Sequence, residues 1–376
     1  MKIVIAPDKF KNSLTGMAFC NAIEEAVLSV LNDAEIIKLP LADGGDGTIE
    51  VVNYYLKGKE IQVTAKNPFF KSIQASYLYS EKTKTAFIEM AEASGVKLLR
   101  PEHFDCKNAT TLGTGEMIAD AIEKGAEKII LGIGGSATND CGIGMATALG
   151  YKFLDKNDNE VMPIGANLSI IKTVDISNVN QKLLDIDFQV ACDVSNPLYG
   201  KNGAAYVYAA QKGATSQEIR MLDKGLADFS KIIEKTFGVN PQTIKGSGAA
   251  GGMGIASKIF LNGTLKLGVE LIKKLAKFDE KINGVEWIIT GEGKLDFQTM
   301  SGKTIQGILS SAKTKNIKVA AFCGMIDLSE EEMTKMGINY YDSVIEKAES
   351  MEDAMENGYQ YLKQMAKEFA KKLDKR

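Results

Sequence analysis

Four glycine-rich turns in this chain each also carry acidic, hydroxyl or amide side chains. They span residues 42–48 (ADGGDGT), 132–140 (GIGGSATND), 246–252 (GSGAAGG) and 290–296 (TGEGKLD). Glycine lets backbone amides approach a ligand closely, and amides that open a helix bind anions such as phosphate. Carboxylates beside those amides would repel the anion unless a divalent metal or an acid–base step requires them. Phosphate, metal and a carboxylate base together predict phosphoryl transfer.

The residue inventory excludes histidine-based chemistry. The chain has one histidine, His103, which lies in a polar stretch that reads as a loop. Histidine triads and histidine-rich metal sites are therefore ruled out. Five scattered cysteines show no zinc-like spacing, so we expect reduced thiols and a cytoplasmic protein.

Length and charge set further limits. A chain of 376 residues is long for a single core and predicts two domains. The net charge of −3 gives no general attraction to nucleic acid or to an anionic membrane, and we expect neither as a partner. No segment approaches the run of about 18 apolar residues that a membrane span needs.

The elements that must position these turns alternate between strands and helices. Apolar β-branched runs predict strands, and apolar residues at helical spacing predict helices. The predicted strands cover residues 2–6, 35–39, 71–79, 85–89, 128–133, 187–192, 287–290, 319–323 and 343–345. The predicted helices cover residues 49–56, 115–123, 216–237, 304–312, 329–336 and 351–373, with one more after Thr15 and one opened by the turn at 132–140. This order predicts α/β layers, with parallel strands at both ends of the chain and a mixed middle. All four turns follow strands, where ligands bind in open α/β sheets.

A dinucleotide-binding site is the strongest rival interpretation. Gly132, Gly134 and Ala137 fit a relaxed fingerprint, and Asp155 stands at roughly the distance that meets a ribose. Against it, the polar residues at 136–140 exceed what a helix beneath a pyrophosphate needs, and the other three turns stay unexplained. An NAD-dependent dehydrogenase and a non-catalytic sugar-acid sensor therefore remain as alternatives to a kinase.

Longer motifs carry a resemblance to a known family. They span residues 5–14 (IAPDKFKNSL), 42–48, 132–140, 191–198 (ACDVSNPL), 211–214 (QKGA), 248–252 and 289–296. In this order they resemble the bacterial glycerate kinase family, from about residue 3 to residue 345. Three positions depart from the family pattern: Lys9, Asn12 and Asp46. Only Lys9 changes the charge, since it adds a cation near the expected site.

The resemblance implies ATP-dependent phosphorylation of D-glycerate to 2-phosphoglycerate. Phosphorylation of the 3-hydroxyl and NAD-dependent oxidation of a hydroxy acid remain the alternatives. The implied fold is α/β, with a flavodoxin-like three-layer domain built from residues 1–65 and 285–376. A second, mixed α/β domain is inserted at residues 66–284. The expected partner is the small-molecule substrate, and homodimer formation is left open.

From the needs of such a reaction, we expect the turn at 132–140 to bind the phosphates of ATP. Its amides would lie at a helix N-terminus and cradle the anion. The expected cofactor-binding residues are Gly134, Gly135, Ser136 and Thr138.

The remaining roles fall on charged residues. Asp193, at the end of a strand, is the expected Mg²⁺ ligand because hard cations prefer oxygen. Asp8 or Asp43 would deprotonate the substrate hydroxyl. Lys11 and Lys212 would neutralise charge on the substrate carboxylate or on the transferred phosphoryl group.

Overall fold

The computed structural model describes residues 1–10, 13–43, 48–297 and 304–375. The chain divides into two compact units. The first combines Met1–Tyr55 with Leu267–Arg376, and the second is Leu56–Lys266. In the described ranges, no helix combines the length and apolar character needed to cross a bilayer.

Strands and helices alternate along the described residues. The strands are β1 (Lys2–Ile5), β2 (Glu35–Lys38), β3 (Lys59–Lys66), β4 (Ser72–Ser80), β5 (Thr85–Glu89), β6 (Lys128–Gly132), β7 (Lys152–Leu154), β8 (Thr173–Asp175), β9 (Asp187–Ala191), β10 (Thr264–Lys266), β11 (Trp287–Thr290), β12 (Lys294–Leu295), β13 (Lys318–Cys323), β14 (Met325–Ile326) and β15 (Tyr340–Ser343). The helices are α1 (Gly16–Leu28), α2 (Thr48–Leu56), α3 (Ala91–Ser94), α4 (Leu112–Glu123), α5 (Ile143–Ala148), α6 (Ala204–Tyr208), α7 (Ser216–Phe237), α8 (Ala249–Phe260), α9 (Gly268–Ala276), α10 (Phe278–Lys281), α11 (Thr304–Lys315), α12 (Glu330–Met336), α13 (Met351–Glu356) and α14 (Gly358–Asp374).

The first unit is built on a five-stranded parallel sheet. Its spatial order is β2-β1-β11-β13-β15, with every neighbouring pair parallel. Counted along the unit, this is the order 2-1-3-4-5 of flavodoxin-like folds. The apolar run of β1 suits its interior place between β2 and β11, because Ile3, Val4 and Ile5 are fully buried. The flavodoxin-like prediction is confirmed.

Helices cover this sheet in layers. Ile3 and Ile5 share a core with Phe19 of α1 and Phe369 of α14, and α1 packs directly on α14. Val4 lies between Ile3 and Ile5 along β1 and therefore points to the other face. The connection from β1 through α1 leads to β2, toward one edge of the sheet. The connection from β11 through α11 leads to β13, toward the other edge. Right-handed crossovers therefore place α1 and α11 on opposite faces.

The second unit contains a six-stranded mixed sheet. Its order is β10-β9-β6-β5-β4-β3, in which β5, β6, β9 and β10 are parallel and β3, β4 and β5 are joined in antiparallel pairs. The expected mixed middle of the chain is confirmed. Helix α7 also has its predicted limits, because Thr215 and Glu218 form a capping box at its start.

The unit boundaries differ from the predicted ones. Strand β3 pairs with β4 along all eight of its residues, so it belongs to the second unit and not to the first. Helix α9 packs against α11 and belongs to the first unit, although residues 66–284 were predicted to form the second domain. Long-range pairing therefore moves both boundaries toward the N-terminus.

Two predicted elements near the C-terminus are wrong in detail. The helix expected over 351–373 is divided into α13 and α14. At the break, the side-chain amide of Asn357 donates to the Asp353 carboxylate. A Cβ on Gly358 would stand 3.0 Å from Ser13 Oγ, so glycine permits this approach. The strand expected over 343–345 is β15, which ends at Ser343 and is followed by a 3-10 turn.

Candidate active site

In the first unit, the predicted acids lie at the carboxyl ends of neighbouring strands. Asp8 follows β1 and Asp43 follows β2, and the charge of Asp43 acts on Asp8. The backbone amide of Asp8 donates to Gly291 O at 2.9 Å. One Asp8 oxygen, Oδ1, accepts from the Lys9 amide at 2.7 Å, and the other, Oδ2, accepts from Thr304 Oγ1 at 2.5 Å. The carboxylate is therefore held at both oxygens.

The pKa of Asp8 lies well above the ordinary aspartate value. Burial is the main cause, the nearby Asp43 charge adds to it, and together they raise the pKa of Asp8 to about 6. Hydrogen bonds from Thr304 and the Lys9 amide, and the Lys9 charge, oppose this rise. A carboxyl group that titrates near neutrality has the property a general base requires.

The first unit also contains Lys11 and the glycine-rich turns at 42–48 and 290–296. Lys11 lies outside the described residues, as does the 44–47 part of the turn that follows Asp43. Gly291 has a packing role, since a Cβ there would stand 1.9 Å from Phe322 O. Glu292 is only 8% exposed, and Thr290 Oγ1 donates to Ala6 O at 2.8 Å, which ties this turn to β1.

In the second unit, the turn at 132–140 follows β6 as predicted but does not open a helix. Ala137 N donates to Ser94 O at 2.9 Å, and Val96 N donates to Gly135 O at 3.0 Å. Helix α5 begins only after Gly142, whose φ is +67°. The expected helix N-terminus at Gly134 is therefore wrong, because the turn pairs with a distant loop.

The same pairing leaves a row of backbone amides available. Gly134 and Gly135 are exposed, and Gly135 has a φ of +67° that favours glycine. Among the described residues, no protein acceptor takes a hydrogen bond from the amides of Gly134, Gly135 or Ser136. Amides without partners bind an anion by the same dipole interaction as a helix terminus.

Lys212 is buried directly behind this turn. It ends a 3-10 helix and is only 5% exposed. Its Nζ donates to Ser136 Oγ at 2.6 Å and to Thr138 O at 2.9 Å. No carboxylate of the described residues lies within ion-pair distance, and burial lowers the pKa of Lys212 to about 8. An ammonium group has three protons, so one remains for an anionic ligand.

Asp140 has a structural role in this turn. It is fully buried and accepts hydrogen bonds from Thr111 N and Thr111 Oγ1, both at 2.8 Å. It also accepts from the amides of Gly142 at 3.1 Å and Gly144 at 3.2 Å. Burial raises the pKa of Asp140, while these hydrogen bonds oppose the rise. Its donors are all protein groups, so it organises the loop that carries Thr138.

Three buried polar atoms nearby have no hydrogen-bond partner among the described residues. They are Thr138 Oγ1, Asn139 Nδ2 and Ser247 Oγ, and each residue is at most 1% exposed. The turn at 246–252 packs on this loop, since a Cβ on Gly251 would stand 2.2 Å from Thr138 O. Buried polar atoms normally have partners, so these point to bound ligand or water. Sequence reasoning missed Asn139 and Ser247, although both lie inside glycine-rich turns.

Asp193 is exposed and follows β9, as predicted. Its neighbour Asn196 is committed to the loop, because it accepts from Tyr208 OH at 2.7 Å and donates to Asn202 O at 2.9 Å. Across the described residues, no three His, Cys, Asp or Glu side chains form a metal cluster. A single carboxylate still fits Mg²⁺, which is commonly held by one or two carboxylates and substrate phosphates.

The geometry disagrees with the dinucleotide interpretation. That fingerprint requires a helix to start within the turn, and none starts between Gly134 and Ala137. Asp155 lies in an exposed surface turn, where it accepts from the amides of Asn157 at 2.7 Å and Asn159 at 3.0 Å. It serves as a turn-forming aspartate.

Comparisons with known proteins identify the family of this chain. The sequence profile of the glycerate kinase family matches residues 3–374. The chain is 40% identical over 359 residues to the glycerate 2-kinase of Escherichia coli K12, covering 96% of this chain and 94% of that protein. It is also 40% identical over 368 residues to a glycerate kinase of Halalkalibacterium halodurans, covering 98% and 97%. A crystal structure assigned as glycerate kinase 2 from Salmonella typhimurium LT2 superposes with a TM-score of 0.89 at 38% identity, covering 99% of this chain and 98% of that one. The resemblance carried by the motifs is confirmed, and this chain belongs to the glycerate kinase family.

Proposed function

We propose that this protein is a kinase that transfers the γ-phosphoryl group of ATP to the 2-hydroxyl of D-glycerate. The observation that carries the proposal is the buried Lys212, whose Nζ bonds Ser136 and, among the described residues, has no carboxylate within ion-pair distance, the charge of the buried Asp140 acting on it from farther away. Burying a cation in this way is costly unless an anion binds it. The relative in Escherichia coli that bears the name glycerate 2-kinase supports the choice of reaction.

The second unit is proposed to bind the phosphates of ATP. The amides of Gly134, Gly135 and Ser136 would donate to phosphate oxygens, and Lys212 would add its remaining proton. Thr138 Oγ1 has no partner among the described residues and would donate a further hydrogen bond. These donors are in place before the ligand arrives, so little reorganisation is needed during the reaction.

Asp193 is proposed as the protein ligand of Mg²⁺. The metal would balance negative charge on the phosphates when bound. Asp193 would position it from an exposed site at the end of β9, with phosphate and water completing the coordination shell.

Asp8 is the proposed general base, and Asp43 is the alternative. The Asp8 carboxylate would accept the proton of the 2-hydroxyl while that oxygen bonds to the γ-phosphorus and ADP leaves with the bridging oxygen. Lys9 lies close enough for its charge to act on Asp8. A cation beside the base would hold the substrate carboxylate near the adjoining C2, which supports the 2-hydroxyl over the terminal one. Lys11 remains the second candidate anchor.

The same proposal includes the cytoplasm as the compartment. All five cysteines are free thiols, and four of them are buried. Free thiols in this number are typical of reducing compartments. Homodimer formation stays a prediction.

A coupled assay with product identification tests the reaction. We expect ADP release only when ATP, Mg²⁺ and D-glycerate are all present. We also expect the product to be consumed by enolase with no phosphoglycerate mutase added, because enolase acts on 2-phosphoglycerate. If consumption requires the mutase, the enzyme phosphorylates the 3-hydroxyl. Equal ADP release without glycerate would remove the kinase proposal altogether.

The Asp193→Asn variant tests the metal ligand. Asparagine keeps the size but loses the charge, so we expect the Mg²⁺ concentration for half-maximal activity to rise by about 10–100-fold. The measurement is turnover against Mg²⁺ concentration at saturating ATP and glycerate. Asp185→Asn, an exposed change in the same unit, serves as the control and should leave the curve in place. An unchanged curve for Asp193→Asn would remove Asp193 as a ligand.

A further inference from the structure

We propose that Thr304 is a positioning residue that orients the Asp8 carboxylate through a hydrogen bond from its buried hydroxyl. This inference rests on the proposed role of Asp8 as general base. Thr304 lies 296 residues from Asp8 in the sequence, at the first position of α11. Its hydroxyl is therefore delivered to the site by the fold and not by a local motif.

The contact is short and shielded from solvent. Thr304 is 0% exposed, and its Oγ1 donates to Asp8 Oδ2 at 2.5 Å. The Lys9 amide donates to Oδ1, so the Thr304 hydroxyl and the Lys9 amide bond different oxygens of one carboxylate. Two such bonds select one side-chain orientation, and each oxygen keeps a lone pair for the substrate proton.

The side chain of Thr304 is suited to this task. A threonine in a helix populates mainly two χ1 rotamers, so few directions are open to its hydroxyl. A buried hydroxyl needs a partner, and among the described residues Asp8 accepts its hydrogen bond. A hydrogen bond to the charged form of a carboxylate favours ionisation.

The charged groups around Asp8 act in opposite directions. Among the described residues, Asp43 raises the pKa of Asp8 and Lys9 lowers it, while burial raises it most. The Thr304 hydroxyl also lowers it, so removing this hydroxyl should move the pKa of Asp8 upward from about 6. The base works only when ionised. The acid limb of the activity profile should therefore move to higher pH.

The test compares Thr304→Val, which keeps the shape and loses the hydroxyl, with Thr304→Ser, which keeps the hydroxyl. The pH dependence of kcat/KM is measured for both and for the unchanged protein. A hydrogen bond to a charged group is worth about 1.5–3 kcal/mol, or about one pH unit or more. We expect the acid limb of Thr304→Val to rise by about one unit. Thr304→Ser should keep the original limb.

A second readout does not depend on turnover. The Asp8 carboxyl is titrated by carbon-13 NMR in aspartate-labelled protein, with its signal assigned by its loss in Asp8→Asn. We expect the same upward shift in Thr304→Val. An unshifted Asp8 signal overturns the proposal, as does a loss of activity in both variants with the acid limb unmoved. Thr304→Ala replaces Thr304→Val if the latter does not fold. If the unchanged protein proves inactive on glycerate, the proposed function fails, and the NMR titration still decides whether Thr304 controls Asp8.

Discussion

Replacing Asp8 by asparagine should lower kcat/KM for glycerate by about 10²–10⁴-fold, the usual contribution of a general base. Asparagine has nearly the same shape and can still accept a hydrogen bond from Thr304, so the loss should reflect proton transfer. The measurement is ADP release at saturating Mg²⁺, with glycerate varied.

Stability separates this effect from unfolding. Between the ordinary aspartate pKa and about 6, the native state binds more protons at Asp8 than the unfolded state does. Ionised Asp8 therefore destabilises the fold as pH rises through that window, and removing its charge should not lower Tm at pH 7. Asp33→Asn, an exposed change in the same unit, is the control for both measurements. Retention of more than about a tenth of the activity in Asp8→Asn, with loss in Asp43→Asn, would transfer the role to Asp43.

The Lys212→Met variant should lose about 10²–10³-fold in kcat/KM, the usual cost of removing one preorganised donor from a transition-state site. Methionine fills similar space without the charge, so Ser136 and the phosphate would both lose a hydrogen bond. Initial rates with ATP and glycerate varied in turn measure the loss. Tm should be unchanged or higher, because burial of this ammonium lowers its pKa and so works against folding at pH 7.

A second buried lysine provides the matched control. Lys273 is also 5% exposed, but its Nζ pairs with the Glu270 carboxylate at 2.9 Å. Glu270 is 45% exposed, so water can replace its lost partner, and Lys273→Met should change Tm little while kcat/KM stays near that of the unchanged protein. If Lys212→Met lowers Tm and keeps its activity, Lys212 is a structural residue and the phosphate site lies elsewhere.

Much of the fold could be predicted because its signals are local. The apolar run of β1 and the capping box of α7 are both legible within a few residues. Strand β3 was missed although its apolar residues alternate with exposed polar ones, which is the local pattern of a half-buried strand; it lies at the edge of its sheet, paired with β4. The helix expected at 132–140 fails for a non-local reason. The chain there pairs with Ser94, some forty residues earlier. The next helix begins only after Gly142, which has a left-handed backbone conformation.

Some residues of the candidate site could also be predicted from local signals, and others could not. Asp8 and Asp43 could be placed together because both follow strands of one parallel sheet, and such strands end at one edge. The bond from Lys212 to Ser136 spans 76 residues and that from Thr304 to Asp8 spans 296. No spacing rule in the sequence indicates either contact. Asn139 and Ser247 are distinguished only by the lack of a partner for their buried polar atoms, which is a property of the folded chain.

The discontinuous first unit constrains how the protein is made on the ribosome. The interior strand β1 pairs with β11 in the finished sheet, and the hydrogen bond from Thr290 to Ala6 joins residues 284 positions apart. At 5–20 residues per second, β1 emerges roughly 15–60 s before that neighbour. The contiguous second unit is complete in the interval. During this interval Ile3, Val4 and Ile5 lack their β11 neighbour, and an apolar segment without its strand partner is the kind that pairs with other nascent chains. Elongation rate and holdase chaperones should therefore govern the yield of this protein more than the stability of its finished fold.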